Sequence, residues 1–292
     1  MRSLILLVSV FLLHPVPANA ANIDEAEGAA FSKVPELVSG FRMLYIQKFP
    51  EGRAQFAEWA EQHPDDPFGQ VAIAASYLFE EFYHYGVLTS DFFMNDKTFL
   101  NGIEGKPDPE RMRGFDTAIE NTRKLAAARR EKNPEDPEAL YALTLAAGME
   151  SDADMILRKR RMDALKRLKE ANVHAKKLLA ERPEAADAYI ALGSANYIIG
   201  SLSVGFRAML WFGGVHGDKK LGMEQVGKTA EGGLYLKPFA KIMLALAARR
   251  EKQNKLAQKL LHELSEEFPE SPLYPIEYAK AIGRQVRAPI HR

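Results

Sequence analysis

Residues 241–269, which read KIMLALAARREKQNKLAQKLLHELSEEFP, decide the fold of the chain. In their second half, apolar residues recur at positions i, i+3, i+4 and i+7, which lie on one face of a helix, and Pro269 ends that helix. A polar turn at residues 251–254 separates it from an equally apolar helix. Two short helices of this kind cannot bury both apolar faces alone, so they require stacked copies of the same unit. The stretch therefore predicts an all-α solenoid, in which helix-turn-helix repeats stack into an α-α superhelix.

Proline-rich turns recur along the chain and mark the ends of such units. They lie at residues 63–67, 133–137, 182–184 and 268–272. At each one, an apolar helix ends before the proline and another begins just after it. The prolines at 64, 134, 183 and 269 are separated by 70, 49 and 86 residues. We interpret these intervals as two units, one unit with an insertion near residues 148–157, and two units enlarged by residues 198–217. A further long connection is expected near residues 86–108.

The residues at equivalent positions of these units resemble the tetratricopeptide repeat family, whose unit of about 34 residues has a characteristic order of large and small side chains. The first half of that order is matched by Tyr189, Leu192 and Gly193. The second half is matched by Ala171, Ala175, Leu178 and Pro183, by Ala257, Leu261, Leu264 and Pro269, and more loosely by Gly52, Phe56, Trp59 and Pro64.

In this family pattern, small residues let two helices approach and large ones fill the space beside them. The copy that ends at Pro134 departs from the pattern at Thr122 and Arg129. The resemblance covers most of residues 50–282. It implies a superhelix whose concave face binds another protein or a peptide.

The first twenty residues differ in composition from the rest of the chain. Arg2 is followed by an apolar run at residues 4–13, two prolines, and the small residues Ala18, Asn19 and Ala20. This order is typical of a secretory signal peptide, and ten apolar residues are about half of what a membrane span requires. We therefore predict that residues 1–20 are removed and that residues 21–292 form the exported, periplasmic or extracellular protein.

Charge and cysteine content exclude several classes of function. The chain has 39 basic and 39 acidic side chains, so no overall positive charge draws it to nucleic acid. It contains no cysteine, which excludes disulfides, thiolate metal sites and a cysteine nucleophile. An exported protein of this kind must obtain its stability from packing.

Residues 222–229, GMEQVGKT, match the P-loop expression G-x-x-x-x-G-K-[ST], which would indicate nucleotide binding. That chemistry requires a buried strand before the loop and an unbroken helix after it. Here charged residues precede the motif, and Gly232, Gly233 and Pro238 interrupt the segment on its C-terminal side. Met223, Val226, Gly227 and Ala230 instead have helical spacing. We therefore expect a packing helix.

Two Glu–His pairs at helical spacing, Glu80 with His84 and Glu170 with His174, each offer two metal ligands, but a catalytic zinc site has three from the protein. No G-x-S-x-G sequence indicates a serine nucleophile. We expect no catalytic residues, cofactor or metal. The alternative from another class is a helical-repeat enzyme that cleaves glycans, which would need a pair of acids in a cleft.

Three regions are candidates for contact with a partner. Tyr83 and Tyr85 begin an aromatic-rich segment. Trp211 and Phe212, with Arg207 nearby, lie in an apolar insertion that either plugs the centre of the superhelix or contacts a partner or membrane surface. The third region is a basic helix, which is typical of a solvated face but could also meet anionic phospholipid or an acidic peptide. It contains Arg158, Lys159, Arg160, Arg161, Lys166, Arg167 and Lys169.

Taken together, these patterns predict a non-enzymatic protein-binding scaffold of the cell envelope, with its concave face as the working surface. The alternatives are the glycan-cleaving enzyme and peripheral attachment to a membrane through residues 198–214.

Overall fold

The computed structural model describes residues 29–202, 204–205, 207–208 and 216–284. Every regular element in these ranges is helical and none is a strand, which confirms the predicted all-α fold. The α-helices are α1 (Pro35–Tyr45), α2 (Phe49–Gln62), α3 (Pro67–His84), α4 (Ser90–Met94), α5 (Asp96–Asn101), α6 (Pro109–Lys132), α7 (Pro137–Asp152), α8 (Arg161–Glu181), α9 (Tyr189–Ser201), α10 (Lys219–Gly232), α11 (Lys237–Arg250), α12 (Asn254–Glu267) and α13 (Tyr274–Ala281). A π-helical turn (Ala153–Leu157) follows α7, and a 3-10 turn (Ala186–Ala188) precedes α9. The predicted signal peptide lies outside the described residues.

Ten of these helices form five successive pairs: α1 with α2, α3 with α6, α7 with α8, α9 with α10, and α11 with α12. The second helix of each pair also packs against the first helix of the next, and α13 packs on α12. The first helices contact one another in series from α1 to α11. We call them, together with α13, the inner helices, and we call α2, α6, α8, α10 and α12 the outer helices. This sequential packing is that of an α-helical repeat solenoid.

Three helices begin at an Asp-Pro pair, as the proline-rich turns suggested. The Asp66 carboxylate accepts a hydrogen bond from the N–H of Phe68 at 2.8 Å at the start of α3. Asp108 and Asp136 cap α6 and α7 in the same way. The proline that follows each aspartate occupies the first turn, where its missing N–H costs no hydrogen bond. Local sequence therefore sets these helix starts.

The repeat count differs from expectation in one interval. Residues 64–134 contain a single pair, α3 with α6, instead of two units. The remaining length forms the connection 85–108, whose helices α4 and α5 have only five and six residues; they contact each other, and α4 also contacts α11. Residues 148–157 continue α7 into the π-helical turn, and residues 183–269 contain two pairs. The proline spacing alone could not distinguish a connection from a repeat.

The stretch 241–269 forms most of α11 and all of α12. Its four apolar residues on one face of α12, Ala257, Leu260, Leu261 and Leu264, are all buried. Between the helices, Lys252 has a left-handed φ of 58°, and the N–H of Gln253 donates to the carbonyl oxygen of Ala248 at 2.8 Å. Such a bond closes the C-terminus of a helix and reverses the chain.

The first and last pairs of the superhelix contact each other. The Arg42 guanidinium lies 3.1 Å from the Glu270 carboxylate, and the Ser271 hydroxyl donates to the Gln47 side-chain oxygen at 2.8 Å. The ring centroids of Tyr45 and Phe268 are 5.4 Å apart. The series of repeats therefore closes on itself.

Candidate functional site

The interior enclosed by the inner helices is filled by aromatic side chains. Phe41, Phe68, Tyr141 and Tyr235 are all buried, and their neighbouring ring centroids lie 5.0 to 6.0 Å apart. Three of these rings come from α1, α3 and α7, and the fourth comes from the segment 233–236 between α10 and α11. The chain's own side chains therefore occupy this part of the interior, on the side where the sequence predicted the working surface.

Asp187 holds the segment 233–236 in the interior. Its buried carboxylate accepts hydrogen bonds from the N–H groups of Leu234 at 3.0 Å, Tyr235 at 2.9 Å and Leu236 at 3.3 Å. The Tyr141 hydroxyl donates to the same carboxylate at 3.0 Å. Burial raises the pKa of Asp187, and these hydrogen bonds oppose the rise by stabilising the charged form. Asp187 therefore has a structural role that its place in a polar turn did not indicate.

The beginning of the described chain is also bound in the interior. The Tyr235 hydroxyl donates to the carbonyl oxygen of Ser32 at 2.6 Å and accepts from the N–H of Val34 at 3.3 Å. Phe31 packs on the ring of Tyr141 with centroids 5.7 Å apart. Residues 29–34 thus occupy space that a bound peptide would need.

All of the long connections follow inner helices. They are residues 85–108 after α3, residues 153–160 after α7 and residues 202–218 after α9. The turns from an outer helix to the next inner helix are much shorter than the first and third connections, and the longest of them, residues 182–188, is nearly as long as the second. In repeat proteins, insertions on one side of the stack often form the binding face. We call the described parts of these three connections the connection face.

Hydrogen bonds join the first connection to the second and link the first and third to the end of α11. The N–H of Ile103 donates to the carbonyl oxygen of Ile156 at 3.0 Å, which joins the first connection to the second. Arg250, at the end of α11, donates to the carbonyl oxygen of Phe93 at 2.7 Å. The next residue, Glu251, accepts from Lys219 at 2.7 Å, where the third connection ends.

Three buried carboxylates anchor the connections. Glu81 accepts from the N–H of Asp108 at 2.8 Å, and Glu277 accepts from the N–H of Ser90 at 3.3 Å, so the two ends of the first connection are held. Asp154 accepts from Arg160 Nε at 3.1 Å in the second connection. Sequence reasoning missed these residues. The position of Glu81, the acidic residue among the apolar residues on the buried face of α3, was the sequence signal that could have indicated its role.

Apolar side chains are exposed on the connection face. Met94 is 40% exposed, Leu100 39% and Val204 73%. They are three of the seven large apolar side chains that are exposed in the described part of the chain. Exposed apolar side chains on segments that connect repeats are candidates for contact with a partner.

The five predicted partner-contact residues have different environments. Tyr83 is half-buried against Phe49, with ring centroids 5.8 Å apart. The Tyr85 hydroxyl donates to the carbonyl oxygen of Lys106 and supports the first connection. Arg207 is exposed in the third connection. Trp211 and Phe212 lie outside the described residues.

The predicted repeat-packing residues mostly lie in helix contacts. A Cβ built on Gly193 would lie 2.7 Å from the main-chain N of Val226, so α9 and α10 approach closely there. Tyr189 is partly exposed, and Pro183 and Pro269 are exposed in their turns. The others are buried: Ala171, Ala175, Leu178, Leu192, Ala257, Leu261 and Leu264.

The P-loop-like sequence 222–229 lies inside α10 and forms no phosphate-binding loop. Lys228 Nζ lies 4.2 Å above the centre of the Tyr189 ring. The buried Thr229 hydroxyl donates to the carbonyl oxygen of Ala186 at 2.7 Å. Both groups that a P-loop would direct at phosphate and magnesium therefore serve helix packing.

One of the Glu–His pairs belongs to an ion-pair network between α6, α7 and α8. Arg123 donates to Glu170 at 2.6 Å and also bonds Glu150. Burial lowers the pKa of His174, whose Nε2 lies 3.8 Å from the Glu170 carboxylate. Within the described ranges, no group of three His, Cys, Asp or Glu side chains is placed to hold a metal ion. Glu80, of the other pair, bonds Arg53 at 2.8 Å.

Comparison with known proteins gave no match to any protein-family model and no similar curated protein. Among the helices that the structure describes, none is long and apolar enough to cross a bilayer.

Proposed function

We propose that the chain is a non-enzymatic binding scaffold of the tetratricopeptide-repeat type, exported to the cell envelope, and that it binds a protein or peptide on its connection face. The observation that carries this proposal is that two anchored connections, residues 85–108 and 153–160, meet beside an interior that the chain's own side chains fill. A rigid stack of helices that presents long loops is a common way to build a binding surface.

Four of the five acidic side chains that are buried in the described residues favour a scaffold over a glycan-cleaving enzyme. Glu81, Asp187 and Glu277 accept main-chain N–H groups, and Asp154 bonds two arginines. A general acid would instead need a carboxyl group facing a substrate cleft, with a second carboxylate on the other side of the scissile bond. These four acids hold segments of the chain in place.

Site-specific photo-crosslinking in the host's cell envelope tests the proposal. A photoreactive residue is placed at Leu100 on the connection face and, as a matched control, at the exposed Ala54 on outer helix α2. We expect the same protein partner to be captured from Leu100 and not from Ala54. The double variant Met94→Ser/Leu100→Ser should then lower the affinity of the isolated partner. Equal capture from both positions, or capture from Ala54 alone, would contradict binding at the connection face.

A further inference from the structure

Helix α8 has an outer surface unlike that of the other outer helices. Nine of its residues are exposed, of which five are basic, three are apolar and one is acidic. They are Arg161, Met162, Lys166, Lys169, Val173, Lys176, Lys177, Ala180 and Glu181. The exposed charges of α6, α10 and α12 are of mixed sign, and those of α2 are all acidic. In a chain whose basic and acidic side chains are equal in number, this positive charge is therefore local.

The positive charge of α8 is only partly neutralised by neighbouring acids. Lys177 forms an ion pair with Glu135 at 2.9 Å, and Lys166 lies 3.7 Å from Asp163. The side chain of Lys166 is nevertheless 78% exposed. Three arginines suggested by the sequence, Arg158, Arg160 and Arg167, are instead used in ion pairs with buried or half-buried acids. Lys166 and Lys176 of α8 therefore remain exposed to an external partner.

Apolar side chains lie among these cations. Met162 is 70% exposed and Val173 is 53% exposed, which makes them two of the most exposed large apolar residues in the described chain. At the start of α8, Arg161 donates to the carbonyl oxygen of Leu100, so the surface continues to another exposed apolar side chain. We call the exposed residues of α8 from Arg161 to Lys177 the basic face.

We propose that the basic face binds an anionic phospholipid membrane. Lysine side chains attract acidic headgroups, while Met162 and Val173 enter the boundary between headgroups and acyl chains. A purely ionic contact with an acidic protein segment would not use exposed methionine and valine, and α2, with its acidic face, exposes no comparable apolar side chain. The proposal involves residues other than the insertion 198–214, and it stands whether or not a protein partner binds the connection face.

Vesicle co-sedimentation tests this binding. The purified protein, with its N-terminus determined by intact mass, is mixed with vesicles of phosphatidylcholine or of phosphatidylcholine containing phosphatidylglycerol. We expect binding to the anionic vesicles only, with loss of binding at high salt because exposed charges are screened. The double variant Lys166→Gln/Lys176→Gln should weaken binding roughly fivefold for each lysine removed. The matched variant Lys255→Gln/Lys259→Gln on α12 should bind like the parent.

A second comparison tests the apolar part at constant charge. Met162→Ser should weaken vesicle binding, whereas Leu221→Ser, at an exposed position on α10, should not. Circular dichroism and thermal melting establish that each variant is folded before binding is compared. Equal binding to neutral and anionic vesicles, or equal effects of the two lysine pairs, would overturn the proposal. Binding to soluble polyglutamate in the absence of vesicle binding would also overturn it and would assign the basic face to an acidic protein segment.

Discussion

Replacement of Gly193 by alanine tests whether the close approach of α9 and α10 is required for stability. The added Cβ would lie 2.7 Å from both the main-chain N and the Cγ2 of Val226, and 2.9 Å from the carbonyl oxygen of Gly222. Ordinary contacts of this kind begin at 3.4 Å, so α10 would have to move by the difference, about 0.7 Å. Two of the three atoms are main-chain atoms, and no side-chain rotation relieves those contacts.

The expected change in the free energy of unfolding of Gly193→Ala is the sum of two opposing effects. Overpacking a well-packed contact costs about 1 to 3 kcal/mol, and the upper part of this range applies because main-chain atoms must move. Alanine in a helix interior recovers about 1 kcal/mol relative to glycine. We therefore expect Gly193→Ala to lower the free energy of unfolding by about 2 kcal/mol.

Gly227 provides the matched control, because it lies inside α10 and a Cβ built there meets no atom within 4 Å. Gly227→Ala should raise the free energy of unfolding by about 1 kcal/mol. Urea unfolding followed by far-UV circular dichroism measures both variants against the parent. If Gly193→Ala is as stable as Gly227→Ala, the contact between α9 and α10 is not as close as described, and the argument fails.

Other sites in the chain give four further predictions. Asp187→Ala removes the acceptor of three N–H groups and one hydroxyl. It should therefore lower the free energy of unfolding by about 3 to 5 kcal/mol in the same urea assay, and a decrease below about 1 kcal/mol would contradict the proposed structural role of Asp187. Burial raises the pKa of Glu138 from an ordinary value of 4.5 to about 7, so the folded state favours the protonated form. Protonated Glu138 therefore contributes stability below pH 4.5, and this contribution is lost as pH rises from 4.5 through 7. Between pH 5 and pH 8, the free energy of unfolding of Glu138→Gln should therefore rise by on the order of 2 kcal/mol relative to that of the parent. A difference between variant and parent that does not change with pH would refute this. In calorimetric titration with ATP and magnesium, the variant Lys228→Ala should behave like the parent. Tight nucleotide binding by the parent that the variant lacks would instead support the P-loop interpretation. Intact-mass measurement of the exported protein should give a chain that begins at Ala21, and a retained Met1 would exclude processing.

Local sequence was sufficient to predict the helices and many of their boundaries. The spacing of Ala257, Leu261 and Leu264 defines a buried helix face, and Asp66 before Pro67 defines a helix start, because these signals depend on neighbours within one or two turns. The number of repeats was harder, since the first connection together with the long helices α3 and α6 fills an interval that matches two ordinary units.

The candidate site depends on contacts between distant residues, which periodicity does not report. Tyr235 lies in a short turn segment, and nothing local shows that its ring stacks in the interior on residues of α1 and α3. Asp187 comes after a proline-rich turn, and nothing local shows that its carboxylate binds a segment almost fifty residues later. The first connection is likewise joined to the second by the hydrogen bond between Ile103 and Ile156.

The contact between the first and last pairs of helices changes how this solenoid should unfold. In an open array, terminal repeats have one neighbour and fray first, and the stability of the array is close to a sum over adjacent repeats. Here Arg42, Tyr45 and Gln47 of the first pair bond or pack against Phe268, Glu270 and Ser271 near the end of the last. Neither terminal pair is then a free end, and the amide hydrogens of α1 and α12 should exchange with solvent together with those of the central helices. In this respect the protein would unfold like a closed ring, in which loss of the contact between the first and last pairs lowers the stability of every repeat.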